Sequence, residues 1–114
     1  MVDRGCNGVE IVLLICAWKL AFPESVFINR GNHEALAMNN KYAFDDEVTK
    51  KYDKEMFALF QDLFCHLPLA TVFADEVFIV HGGLAAMDDF TLEDIEKYFL
   101  ISYFYFYFYF SILF

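Results

Sequence analysis

Apolar and polar positions in this chain fall into blocks that assign an element to nearly every stretch before residue 98. Residues 9–20 form a mostly apolar run of helical length, preceded by Asn7-Gly8 and followed by Pro23. That order predicts an N-cap, a buried helix and a stop. Val26-Phe27-Ile28-Asn29 is short and apolar and predicts a buried strand, and residues 35–40 predict a short helical or irregular piece. Residues 45–64 carry the clearest helical pattern, because Met56, Leu59, Phe60, Leu63 and Phe64 recur at the spacing of one helix face. Asp45, Asp46 and Glu47 suit the positive end of a helix dipole, and Lys50, Lys51 and Lys54 follow. Two helices with a break near Tyr52-Asp53, ended by Pro68, are expected. Residues 70–73 and 77–80 flank Ala74-Asp75-Glu76 as a hairpin whose second strand delivers His81 to its end. Thr91-Leu92-Glu93-Asp94 before Ile95 matches a capping-box start for a last short helix.

Three polar clusters stand at the boundaries of these blocks. Arg30-Gly31-Asn32-His33-Glu34 follows the 26–29 run, His81-Gly82-Gly83 follows the 77–80 run, and Asp3-Arg4-Gly5 precedes the first helix. Open α/β sheets place their chemistry where a strand gives way to a loop. The chain's two arginines both lie in these clusters. Each residue also has a plainer reading. Asp3 and Arg4 suit a surface ion pair, Asn32-His33 a turn with a surface imidazole, and His81 a satisfied buried histidine. Arg30 and Glu34 read as scaffolding for the loop, and His66 as structural.

At 114 residues the chain is one modest domain at most. A net charge of −9, from 17 acids against 8 bases, argues against non-specific nucleic-acid binding and against adhesion to anionic lipid. It leaves a phosphorylated substrate open, since phosphate is held by local donors. Cys6, Cys16 and Cys65 form no framework; an odd count without a signal peptide points to a reducing compartment, cytoplasmic or nuclear. Cys6 is near Arg4, and a small packing residue is preferred there over a redox-sensitive thiol.

Taken together and in order, Asp3-Arg4-Gly5, Arg30 to Glu34 and His81-Gly82-Gly83 resemble the metal-dependent serine/threonine phosphoprotein phosphatases. Residues 38–42, 44–48 and 67–70 are most similar to the subtype that carries tetratricopeptide repeats, and the resemblance runs from Val2 to about Lys97. It implies an α/β fold, a calcineurin-like metallophosphatase β-sandwich with flanking helices. It implies hydrolysis of phosphoserine or phosphothreonine in a phosphoprotein substrate by a water activated between two divalent metal ions, manganese, iron or zinc. Asn32 and His81 match ligands of one ion. His33 matches the general acid that protonates the departing oxygen, Asp3 the carboxylate that holds that imidazole, and Arg4 a phosphate-binding arginine. These roles are chemically coherent. A positioned acid typically contributes about 10²–10⁴-fold, a carboxylate fixes the tautomer of its histidine, and an arginine fork matches two phosphate oxygens.

The family's Gly-Asp-x-His-Gly motif is absent, and no histidine or arginine follows Gly83. The expectation is therefore a catalytic domain truncated at both ends, spanning 1–97, that binds metal poorly and turns over little substrate. The rival is a catalytically silent module that binds phosphate as a decoy. Residues 98–114 hold eleven aromatics, with a Tyr-Phe alternation from Tyr103 to Phe110. This low-complexity tail reads as translated non-coding or out-of-frame sequence, with a membrane tail anchor as the lesser alternative. Oligomeric state is left open.

Overall fold

A computed structural model describes residues 1–83 and 89–97. Its elements run α1 (Gly8–Ala21), α2 (Leu36–Tyr42), α3 (Phe44–Lys51), α4 (Lys54–His66), β1 (Ala70–Phe73) and β2 (Val77–Val80). Residues 92–97 are also helical; Asp94 N donates to Thr91 Oγ1 at 3.3 Å and Thr91 N to Asp94 Oδ2 at 3.1 Å, the reciprocal bonds of a capping box. Helices and a sheet thus combine in the α/β class. The aromatic tail lies outside the described residues. Among those residues no helix is long and apolar enough to cross a membrane.

The core is built where α3 and α4 face α1. Phe44 and Val48 from α3 meet Phe60 and Phe64 from α4, with Val9 and Val12 of α1, Val2 and Leu67 around them. The Phe44 ring sits edge-on to Phe60 at 5.4 Å and tilted to Phe64 at 5.9 Å, the aromatic geometry favoured over face-to-face stacking. Asp53 breaks the pair of helices as expected, its carboxylate accepting from Met56 N at 2.8 Å as an N-cap. The expected apolar face of α4 is corrected at one position: Leu59 is exposed, and Gln61 is buried among the polar groups described below.

α1 begins where the sequence places it, but its cap is supplied from elsewhere. Asn7 makes no side-chain cap; instead Val9 N donates to Glu47 Oε1 of α3 at 3.0 Å. A Cβ on Gly8 would meet Glu47 Oε2 at 3.0 Å and the Phe44 ring at 3.3 Å, so the glycine lets the two helices approach. Lys51 completes this contact, bonding Glu47 at 2.9 Å and Glu10 at 2.6 Å. The hydrogen bond from Lys51 holds the exposed Glu10 carboxyl below its usual range.

Two further expectations change. Residues 26–29 do not form a buried strand: Phe27 is exposed, and Val26 and Ile28 are half-buried. The Asn29 side chain ties this segment to the hairpin, donating to Ile79 O at 2.9 Å and accepting from Thr71 Oγ1 at 2.6 Å. Arg30 N then reaches Pro68 O at 2.8 Å. Cys6 is exposed rather than packed, although all three cysteines are free. The hairpin forms as expected, with Phe73 opposite Val77, and turns through left-handed Ala74 and Asp75.

α1 is apolar all round but buries only Gly8, Val9 and Val12. Ile11, Leu14, Trp18 and Leu20 remain exposed, Leu20 at 84%. Exposed apolar area of this kind drives association. The purified chain is expected to self-associate with rising concentration, and replacing Trp18 and Leu20 by glutamate should lower its apparent mass in light scattering. An unchanged mass would show that these two side chains are not responsible.

Candidate active site

The three polar clusters meet at the loop that joins residue 29 to α2. Glu34, 2% exposed, folds the loop back on itself. Its carboxylate accepts from Gly31 N at 2.8 Å and from the Met1 ammonium at 2.8 Å, while its carbonyl accepts from Arg30 Nε at 2.9 Å. Arg30 and Glu34 thus act as the scaffolding expected of them. A Cβ on Gly31 would fall 2.6 Å from Glu34 Oε2 and 3.2 Å from the His81 ring. Only glycine lets the carboxylate and the imidazole close on this backbone together.

On one side of the loop, His33 Nδ1 lies 2.9 Å from Asp3 Oδ2. A carboxylate oxygen only accepts, so Nδ1 carries the proton and Nε2 is turned away from Asp3. The Asp3 side chain is wholly buried while that of His33 is 23% exposed. The Tyr42 ring lies against the imidazole at 5.1 Å between centroids. Asp3 adopts a left-handed backbone, φ 68°, which aspartate tolerates better than most residues. Its partner is His33, which removes the reading of Asp3 and Arg4 as a surface ion pair. The reading of Asn32-His33 as a turn with a loose imidazole fails for the same reason.

On the other side, His81 Nε2 lies 3.1 Å from Asn32 Oδ1, 49 positions away in sequence, and both residues are exposed. His81 is therefore not a buried structural histidine. Metal–nitrogen and metal–oxygen bonds of about 2.1 Å put ligands on adjacent corners of a shell about 3 Å apart. The two atoms thus fit adjacent positions around one divalent ion. Both are neutral, and among the described residues no group of three His, Cys, Asp or Glu side chains gathers to hold a metal. Arg4 is exposed, and no described residue bonds its guanidinium. His66 stands apart, its Nδ1 2.8 Å from Asp62 O.

Two residues that support this site belong to none of the three polar clusters. Asn39, fully buried on α2, donates through Nδ2 to Asp3 Oδ2 at 3.1 Å and to His33 O at 2.8 Å. Gln61 of α4 donates to Asn39 Oδ1 at 2.8 Å. In the sequence Asn39 lies within the 38–42 stretch that carries the subtype resemblance, and Gln61 is a polar residue one step off the apolar stripe of α4.

The calcineurin-like phosphoesterase family model matches residues 1–105. The chain is 47% identical over 94 residues to serine/threonine-protein phosphatase 5 of Arabidopsis thaliana, covering 82% of this chain and 18% of that protein. It is 45% identical over 95 residues to serine/threonine-protein phosphatase T of Trypanosoma brucei brucei, covering 83% and 20% respectively. The chain thus spans about a fifth of the length of these curated relatives. A solved protein serine/threonine phosphatase from Saccharomyces cerevisiae superposes with a TM-score of 0.81 at 41% identity, over 84% of this chain and 30% of that one.

Gly31→Ala is expected to break the bond to Glu34 and displace His81, costing about 1–3 kcal/mol by denaturant titration with a shifted His81 ring signal. Parent stability together with an unshifted His81 signal would show that the loop has room to spare.

Proposed function

Since the chain belongs to the calcineurin-like phosphoesterase family, we propose that it carries part of the catalytic site of a protein serine/threonine phosphatase. The observation that carries this reading is the meeting of Asp3, Asn32, His33 and His81 at one glycine-containing loop. The substrate is a phosphoserine or phosphothreonine side chain of a protein, supported by the names of the relatives. His33, with its Nδ1 proton engaged by Asp3, presents Nε2 outward. In its doubly protonated form the ring donates the Nε2 proton to the serine or threonine oxygen as the ester bond breaks, and returns to the Nδ1–H form. Asp3 keeps the ring oriented and steadies its charged form. The exposed guanidinium of Arg4 is free to take two phosphate oxygens. Asn32 and His81 are the positions that would hold a divalent ion, and such an ion supplies an activated water and neutralises phosphoryl charge. The three free thiols support a reducing compartment, cytoplasmic or nuclear.

With two neutral donors, the 114-residue chain is expected to take up Mn²⁺ weakly. Paramagnetic broadening should centre on the His81 ring and vanish in His81→Ala. Broadening that survives this substitution would place the ion elsewhere.

The catalytic roles are tested by exchanging residues 1–97 for the matching segment of one of the full-length relatives. The hybrid is expected to hydrolyse a phosphoserine peptide, and His33→Ala within it to lower kcat by about 10²–10⁴-fold. A hybrid whose turnover ignores His33 would end the assignment. For the isolated chain, phosphopeptide binding without turnover would favour a silent phosphate-binding module.

A further inference from the structure

The buried amides behind the His33–Asp3 pair have a task that packing alone does not require. Asp3 Oδ2 receives both the His33 ring and Asn39 Nδ2, whereas Asp3 Oδ1 is buried without a partner among the described residues. The carboxylate is therefore fixed through one oxygen, and Asn39 is the donor on it besides the imidazole. The same Nδ2 also ties down His33 O at 2.8 Å, so one amide holds the acid's backbone and its partner carboxylate together. This works only if the amide faces the right way. Reversed, it would set Oδ1 against the Asp3 carboxylate and the His33 carbonyl, three acceptors with no proton between them. Gln61 Nε2, 2.8 Å from Asn39 Oδ1, favours the orientation seen, because against Gln61 as it stands a reversed amide would oppose donor to donor. Both amides are buried, Asn39 at 0% and Gln61 at 6%, so water cannot readily replace either bond.

We propose that Asn39 is a positioning residue for the His33–Asp3 pair, and that Gln61 on α4 sets the direction of the Asn39 amide. This rests on the reading of His33 as an acid oriented by Asp3. It extends that reading to a relay from α4 through α2 to the Asp3 carboxylate and the His33 ring.

The relay is read directly from the tautomer of His33. In the full 114-residue chain with ¹⁵N-labelled histidine, ring nitrogen shifts are recorded well above the ordinary imidazole pKa of about 6.5. The His33 signal is assigned by its loss in His33→Asn. The parent is expected to hold His33 as the Nδ1–H form, and Asp3→Asn to abolish that preference. Asn39→Leu, similar in size but without a donor, should return His33 to the mixture of tautomers seen for a free imidazole. Gln61→Met, which leaves the Asn39 bonds sterically possible, should give a partial return. A purely structural role would change stability without moving the tautomer. If Asn39→Leu does not fold, Gln61→Met alone decides. Parent-like tautomers in the folded amide variants, with loss in Asp3→Asn, would overturn the relay and leave the pair standing. A parent without the Nδ1–H preference, or an Asp3→Asn variant that keeps it, would overturn the acid reading and the relay with it.

Discussion

A carboxylate with no access to water must be held by protein donors or give up its charge, and this constraint on Asp3 organises the described half of the site. Its side chain is wholly buried, and both of its contacts converge on one oxygen. To bring the His33 ring there, the loop after residue 29 must turn sharply. To bring the Asn39 amide there, α2 must begin at once after that loop. The left-handed backbone of Asp3 and the buried bond from Gln61 belong to the same solution. Disturbing any one of them leaves a buried polar group without its partner, which is costlier than losing a surface contact.

Glycine makes the second constraint, because two charged groups must approach the backbone closely. Gly31 admits the Glu34 carboxylate and the His81 ring to the same loop, and Gly8 admits Glu47 and Phe44 to the start of α1. In both places a glutamate satisfies a backbone N–H from outside its own element's regular bonding. The second contact belongs to the core, since Glu47 shares α3 with Phe44 and Val48, and the Phe44 ring packs on Phe60 and Phe64. The imidazole of His81 and the packing of α1 thus depend on the same device, a carboxylate folded onto a residue without a side chain.

Local pattern was a good guide wherever one segment's own chemistry decided the outcome. The break at Asp53 follows from a capping residue beside its helix, and the hairpin from two apolar runs around a short turn. The pattern failed where a distant group intervened. Residues 26–29 look like a buried strand, but Asn29 spends its side chain on Ile79 and Thr71. Asn7 looks like a cap, but Glu47, 38 positions from Val9, takes that place. Leu59 fits the apolar stripe of α4, yet Gln61 is drawn inward because a buried asparagine needs a donor.

By itself the sequence determined which residue types sit at the ends of which elements, and through them the family, because Asp3, Asn32, His33 and His81 lie within short motifs that survive in a linear reading. Only the tertiary structure decided the geometry of the contacts that the resemblance implied, and which further residues join them. It pairs Asp3 with His33 rather than with neighbouring Arg4, sets Asn32 against His81, and recruits Asn39 and Gln61. The physical reason is that hydrogen bonds between side chains depend on distance and direction in space, which arise from packing α2 and α4 around one buried carboxylate and leave almost no periodic trace along the chain.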